Sequence, residues 1–221
     1  MKNVAIIMGG YSSEYKISLT SGNVVFNNIN RAKFNPYRIH IFKEKWVYVD
    51  ENDAEFPVDK NDFSVTVNGT KINFDVVFNA IHGTPGEDGL MQAYFELLNI
   101  PQTSCDYYQA ALTFNKRDML SVLKPYGIKT AESYYLNLGD EINVDSILAK
   151  VGLPCFVKPN KSGSSFGISK VKTKEEFLPA IENAYKEDDE IIIESFLDEG
   201  SRPSAAVTLR PERHKQEKPP S

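Results

Sequence analysis

The sequence is poor in cysteine and has no excess of positive charge, and each absence narrows the classes of protein to consider. Cys105 and Cys155 are the only two cysteines in 221 residues. They have neither the number nor the spacing of a metal site, so we expect reduced thiols in a cytoplasmic protein. The formal net charge of −5 argues against a nucleic-acid-binding surface.

Long apolar runs are also missing. The amino-terminal residues, from Met1 to Gly10, contain one short apolar run that ends at two glycines. This run is too short for a membrane span and does not have the pattern of a secretion signal. We therefore predict a buried first strand and no membrane partner.

The apolar segments of the first half predict an open, parallel α/β sheet. Strands are expected over 4–8, 37–42, 46–49 and 75–80, a hairpin over 64–67 and 71–74, and helices over 18–29 and 91–98. The segment 75–80 is apolar on both faces, which is typical of a central parallel strand. The loops after strands 4–8 and 75–80 should share one carboxyl edge, where such sheets bind ligands.

A second unit is predicted to begin near residue 107. Helices are expected over 110–123, 145–151 and 175–185, and extended segments over 131–138, 155–158, 168–171 and 190–194. This organisation gives a first domain over residues 1–106 and an α+β domain over residues 107–200. Residues 201–221 contain four prolines, many charges and no aromatic residue, so we predict a disordered tail.

Small residues between the segments 155–158 and 168–171 predict a phosphate-binding loop. Gly163, Ser164, Ser165 and Gly167 allow the backbone to bend around a ligand and offer amide and hydroxyl donors to anionic oxygens. Two lysines add positive charge for a nucleotide triphosphate, Lys158 at the end of the strand and Lys161 in the loop. The alternative is a flexible surface hairpin, which the strand-terminal lysine disfavours.

Three further residues are ambiguous on their own. Glu14 lies in the loop after the first strand, and an isolated acid there is more often solvated than functional. His82 follows the buried segment 75–80, where a histidine is about as often structural as functional. Lys116 lies in a predicted helix, and a lone lysine there is most often a solvated charge.

Two common nucleotide motifs are absent. The spacing of Gly83, Gly86 and Gly89 differs from Gly-x-Gly-x-x-Gly, and no glycine precedes a Lys-Ser or Lys-Thr pair. The simplest dehydrogenase and P-loop interpretations are therefore excluded.

Four motifs in a fixed order resemble the D-alanine-D-alanine ligase family of the ATP-grasp superfamily. They are Gly-Gly-x-Ser-x-Glu-x-x-Ile-Ser-Leu-x-Ser-Gly, His-Gly-x-x-Gly-Glu-Asp-Gly, Asn-Lys, and Val-Lys-Pro-x-x-x-Gly-Ser-Ser-x-Gly. Each motif alone is weak or moderate, but the ordered set is specific. The resemblance extends from the first strand to Leu197 and implies a pre-ATP-grasp domain followed by a central ATP-grasp domain.

The resemblance implies roles for individual residues. Glu14 would hold the ammonium of the first D-alanine with His82 beside it, and Ser164 would help to fix Glu14. Contacts to ATP would come from Lys116, Lys158, the loop glycines and serines 163–167, and Glu194, which would accept a hydrogen bond from the adenine amino group. The γ-phosphate would pass to the carboxylate of one D-alanine, and the amine of a second would attack the acyl phosphate, as peptidoglycan synthesis requires.

The resemblance also implies partners and a missing part. ATP, Mg²⁺ and two D-alanine molecules would bind the full-length protein, which would be a homodimer. The family's magnesium ligands lie in a third domain after Leu197 that is not recognisable here, so we expect an inactive fragment without metal ligands. Two alternatives stay open, a non-catalytic module that binds D-alanine or nucleotide, and an ATP-grasp ligase with a different acceptor.

Overall fold

Two sheets organise the chain in a computed structural model that describes residues 1–197. The first sheet has seven strands and is packed with two helices. Its elements are β1 (Lys2–Gly9), α1 (Tyr15–Asn28), β2 (Phe34–Ile41), β3 (Trp46–Val49), β4 (Glu55–Asp59), β5 (Ser64–Val67), β6 (Thr70–Ile72), β7 (Val76–Asn79) and α2 (Leu90–Leu97).

The first sheet is mixed rather than wholly parallel. Its order is β6-β5-β4-β3-β2-β1-β7, and only β2, β1 and β7 pair in parallel. Strands β2 to β6 follow one another through short connections, so each neighbour must run antiparallel. The prediction that β7 is central is only partly right, because one side pairs with β1 and the other forms a single bridge from Val77 to Gln102.

Strand β4 was not predicted from the sequence. Its residues alternate weakly, with only Val58 buried and a proline at position 57. Proline removes a backbone donor and lowers the strand signal of a segment, although it is tolerated where its nitrogen has no ladder partner. The other predicted strands of this half occur within a few residues of their expected bounds.

Strand β1 lies at the centre of the first core. Its two faces alternate, so that Ile6 and Met8 pack toward α1 while Ile7 packs toward α2. Each of these side chains is fully buried, which stabilises the fold by roughly 1.5–3 kcal/mol per residue. Gly22 lets α1 approach closely, since a Cβ there would lie 2.7 Å from the Met8 methyl group.

The second sheet has four antiparallel strands in the order β10-β9-β11-β8. Helices α5 and α6 pack against it and share its buried cluster, which includes Ile147, Val157, Phe177 and Ile193. The elements of this half are α3 (Tyr107–Phe114), α4 (Lys116–Leu123), β8 (Ser133–Asn137), α5 (Val144–Val151), β9 (Cys155–Pro159), β10 (Ser169–Val171), α6 (Phe177–Ala184) and β11 (Glu190–Ser195).

The prediction of a single helix over 110–123 is wrong, because Asn115 separates two helices, α3 and α4. This residue has φ −85° and ψ 101°, and its side chain accepts a hydrogen bond from the Asp118 amide at 3.1 Å. Asparagine favours such capping over continuing a helix. The break makes Lys116 the first residue of α4.

Within residues 1–197, no helix has both the length and the apolar character needed to cross a membrane. The predicted tail over 201–221 lies outside the described residues.

Candidate functional site

The loop between β9 and β10 has the strained backbone of a ligand-binding segment. Ser164 and Ser165 have φ values of 47° and 63°, in the left-handed region that side chains seldom adopt. Gly167, at φ 69°, has no room for a side chain, because a Cβ would lie 2.7 Å from the ring of Pro159. Both serines are exposed, and their hydroxyls form no hydrogen bond with another described residue.

Lys158 and Glu194 form an ion pair on the face of the sheet beside this loop. Strands β9 and β11 are neighbours, and Lys158 lies opposite Ile192 while Glu194 lies opposite Phe156. The two charged side chains are therefore diagonal neighbours, with 24% and 16% of their surfaces exposed. Two residues predicted to contact different ends of a nucleotide thus lie within reach of one ligand.

An aromatic surface adjoins this ion pair and was missed from the sequence. The rings of Phe156 and Phe196 lie 5.9 Å apart between centroids, and the Lys170 ammonium lies 3.7 Å from the centre of the Phe196 ring. Phe156 and Lys158 occupy alternate positions of β9 and so share a face, a signal that the sequence carries. Flat aromatic surfaces with nearby cations suit a nucleotide base.

Lys116 points at the loop between β9 and β10, residues 160–168, which is the predicted phosphate-binding loop and is named the phosphate loop. Its Nζ donates to the backbone carbonyl oxygens of Asn160 at 3.1 Å and Ser162 at 2.6 Å. Burial lowers the pKa of Lys116, and the positive charge of Lys158 lowers it further. The structure therefore excludes the interpretation of Lys116 as a solvated surface charge.

Lys161, by contrast, is held by acids at the base of the loop. Its Nζ lies 3.5 Å from Asp188 and 3.3 Å from Glu190, and its amide donates to Asp188 at 2.6 Å. Burial tends to lower the pKa of Lys161, but Asp188 and Glu190 outweigh it, so the pKa is raised. The Asp188 carboxyl is only 5% exposed, and burial raises its pKa. These acids anchor the base of the loop.

Glu14 is buried between the two halves of the chain. Only 1% of its surface is exposed, and its Oε1 accepts a hydrogen bond from the Gly163 amide at 3.1 Å. Its Oε2 is buried without a partner among the described residues. An unpaired buried carboxylate oxygen is costly, and it is typical of a site that binds a donor.

Two glycines make room for the Glu14 carboxylate. A Cβ on Gly83 would lie 3.0 Å from Oε1, and one on Gly163 would lie 3.1 Å from Oε2. His82 lies next to Gly83, and its Nε2 is 3.1 Å from the Ser21 hydroxyl. The predicted contact of Ser164 with Glu14 is made here by the Gly163 amide, and a direct role for Ser164 stays a prediction.

No group of three or more histidine, cysteine, aspartate or glutamate side chains in residues 1–197 could hold a metal ion. The residues of this candidate site fit a nucleotide, through lysines and a glycine-serine loop, better than they fit a metal.

Two family models match the chain. One is described as "D-ala D-ala ligase N-terminus" and matches residues 3–105, and the other as "D-ala D-ala ligase C-terminus" and matches residues 122–210. The second match extends beyond Leu197, where the recognisable motifs end.

Similar proteins carry the same name. A D-alanine-D-alanine ligase from Flavobacterium johnsoniae is 78% identical over 207 residues, covering 94% of this chain and 64% of the relative. One from Christiangramia forsetii is 59% identical over 206 residues, covering 93% and 63%. The chain therefore spans less than two thirds of the length of these curated relatives.

Solved structures agree. D-alanyl-alanine synthetase A from Vibrio cholerae superposes with a TM-score of 0.77 at 29% identity, covering 89% of this chain and 60% of that chain. VanG D-Ala:D-Ser ligase from Enterococcus faecalis gives 0.71 at 33% identity, covering 89% and 63%. With both halves matched by family models and a relative 78% identical, the chain belongs to the D-alanine-D-alanine ligase family.

Proposed function

We propose that this chain provides the D-alanine and ATP sites of an ATP-dependent D-alanine-D-alanine ligase. The hydrogen bond from the Gly163 amide to Glu14 carries the proposal, because it joins the phosphate loop of one sheet to a buried carboxylate of the other. An amino acid held at Glu14 would lie beside a nucleotide held at the loop. Such proximity is what phosphoryl transfer between two substrates needs.

ATP would compete for groups that are paired in this structure. Its phosphates would bind Lys158 and Lys116, and its adenine amino group would donate to Glu194, so the Lys158–Glu194 pair would open. The exposed serines and the left-handed backbone of the loop, from Gly163 to Gly167, would add donors to the phosphates. Phe156 would contact the base.

D-alanine would place its ammonium against the unpartnered Oε2 of Glu14, with His82 near the same pocket. A carboxylate resists attack because it is anionic and lacks a leaving group, and phosphorylation supplies one. The lysines stabilise the transferred charge. The amine of a second D-alanine then forms the peptide bond, phosphate departs, and the closed loop excludes water from the activated carboxylate.

Several features of the whole protein are also proposals. They are domain bounds of 1–106 and 107–200, a requirement for Mg²⁺, a homodimer, and a cytoplasmic location. The described residues offer no cluster of side chains that could hold this ion. Inactivity of this chain alone stays a prediction from the sequence.

Calorimetry of the purified chain with ATP and Mg²⁺ tests the nucleotide site. We expect binding, and we expect Lys158→Ala or Lys116→Ala to weaken it by about 2 kcal/mol, as for loss of a charge-assisted bond in a sheltered site. Lys129→Ala, which removes an exposed lysine of the same half, should leave the affinity unchanged. The proposal would be contradicted if the folded chain binds no ATP, or if neither substitution changes its ATP affinity.

A chimera separates a ligase from a non-catalytic binding module and identifies the acceptor. Residues 1–197 are joined to the remaining carboxyl-terminal part of the Flavobacterium johnsoniae relative, and product formation is measured with D-alanine alone and in competition with D-serine. We expect ATP-dependent D-alanyl-D-alanine, lost on Lys158→Ala. A folded chimera that binds ATP but makes no product would favour the binding module, and a mixed dipeptide would favour the other acceptor.

A further inference from the structure

Asn160, at the base of the phosphate loop, is a buried polar residue whose hydrogen-bonding groups are all used. It is 1% exposed. Its Oδ1 accepts from the Arg117 amide at 2.8 Å, and its Nδ2 donates to Asn115 Oδ1 at 2.9 Å and to Glu190 Oε2 at 2.7 Å. Its backbone carbonyl accepts from Lys116 Nζ at 3.1 Å.

These bonds tie the start of α4 to the end of β9. Asn115 is the cap of α4, and the Arg117 amide is one of the first-turn donors that the helix leaves unpaired. Asn160 therefore holds the residue before Lys116 and the residue after it. The Lys116 backbone is fixed on both sides, and its side chain reaches the loop carbonyls.

The chemistry of these partners favours an amide at position 160. The Arg117 amide needs an acceptor, whereas Asn115 and Glu190 offer acceptors and need donors. An aspartate has no donor at neutral pH and would place its charge against Glu190. An aliphatic residue would leave the Arg117 amide without its acceptor, and it would take away one of the two donors that Asn115 and Glu190 each have.

We propose that Asn160 is the positioning residue for Lys116, holding its ammonium at the mouth of the phosphate loop beside Lys158. The proposal deepens the proposed function and rests on it, since Lys116 is taken there to contact ATP phosphates. A free lysine side chain would regain its rotamer freedom and move toward water, and nucleotide binding would then have to order it. The lowered pKa of Lys116, caused first by burial, agrees with an ammonium held out of solvent.

The test combines nucleotide affinity with a direct measurement on Lys116. ATP affinity is measured by calorimetry for the wild-type chain, Asn160→Ala, Lys116→Ala and the double variant. The Lys116 pKa is measured by NMR of labelled lysine side chains without nucleotide. Asn183→Ala is the control, because Asn183 is half-buried in the same half of the chain and its side chain bonds only to the Ser169 hydroxyl, at 3.4 Å, among the described residues.

We expect Asn160→Ala to weaken ATP binding about tenfold, and to weaken it no further once Lys116 is already alanine. The Lys116 pKa should rise toward its ordinary value. Equal losses in the wild-type and Lys116→Ala backgrounds, or an unchanged Lys116 pKa in a folded variant, would overturn the proposal. If the alanine variant does not fold, Asn160→Ser, which keeps a small polar side chain, is expected to give the same pattern with smaller losses.

The same measurements distinguish an error in the proposed function from an error in the role of Asn160. A wild-type chain that binds no ATP refutes the nucleotide site, while the Lys116 pKa in Asn160→Ala still decides whether Asn160 positions that lysine.

Discussion

The Glu14 side and the phosphate-loop side of the candidate site are built differently. On the Glu14 side, the Ser18 hydroxyl accepts from the Gly9 amide at 2.9 Å and donates to the Ala80 carbonyl at 2.8 Å, so the ends of β1, α1 and β7 are locked together. On the phosphate side, the loop is anchored at its base, while Ser164 and Ser165 are exposed and their hydroxyls have no partner among the described residues. The comparison shows a closely hydrogen-bonded Glu14 side that faces a loop anchored at its base and exposed at its two serines.

The largest expected effect is on the Glu14 side. Gly22→Ala would place a Cβ within 2.9 Å of three atoms of the Met8 side chain, so α1 and β1 must move apart. We expect a loss of about 2–3 kcal/mol in the free energy of unfolding, in the upper part of the roughly 1–3 kcal/mol typical of overpacked cores. Chemical denaturation measures it, with Val24→Ala as control, since Val24 is exposed on the same helix and alanine there is a better helix former that meets no clash. A Gly22→Ala variant as stable as the wild type or the Val24→Ala control would show that close packing at Gly22 is unimportant.

The loop base should be the next most sensitive point. Asp188→Ala removes the acceptor of the Lys161 amide and leaves that donor and the Lys161 ammonium with fewer partners. We expect about 1–3 kcal/mol of destabilisation and faster amide exchange in the loop. Asp189→Ala, one residue along and exposed, is the matched control. Unchanged exchange in the Asp188 variant would mean that the loop is not anchored there.

A smaller change is expected in ligand binding when the charge of Glu14 is removed. Glu14→Gln keeps the shape and the acceptor for the Gly163 amide, but it cannot neutralise an ammonium. We expect D-alanine affinity to fall about tenfold, while ATP affinity changes less and stability does not fall. Ser13→Ala, at an exposed neighbouring position, is the control. Equal losses for both ligands would instead assign Glu14 a folding role.

The smallest effect concerns pH. Burial lowers the pKa of His40 from its ordinary 6.5, helped by the positive charge of Arg38. The folded state therefore resists protonation, and stability should fall as the pH drops through 6.5 toward the lower folded value. His40→Gln should flatten that part of the stability profile. A profile identical in wild type and variant would remove His40 as its cause.

Much of this site could be predicted from the sequence, because its motifs are local. The bend of the loop, the strand-terminal Lys158 and the position of Glu14 after β1 follow from short patterns of glycine, serine and apolar residues. Non-local partners could not be read in the same way. Three contacts span 27 to 149 residues of sequence: Asp188 anchors the loop, Asn160 accepts from the first turn of α4, and Gly163 reaches Glu14.

The fold was predictable to a similar degree. Helix and strand periodicity located most elements, but the antiparallel pairing of β3 to β6 depends on how short connections return the chain. The break at Asn115 needed the capping geometry that its side chain forms with Asp118. Both features, the antiparallel pairing and the interruption at Asn115, depend on hydrogen bonds, which the pattern of apolar residues does not predict.

Hydrogen exchange on the 221-residue chain tests most directly whether the two sides form one site. Amides over residues 160–167 and over residues 10–16 are followed without ligand, with saturating ATP and Mg²⁺, and with D-alanine added. The account predicts protection of the loop by ATP and further protection of both segments when D-alanine joins it. Unchanged exchange in the loop at proven ATP saturation, or further protection of only one segment when D-alanine is added, would contradict a shared site.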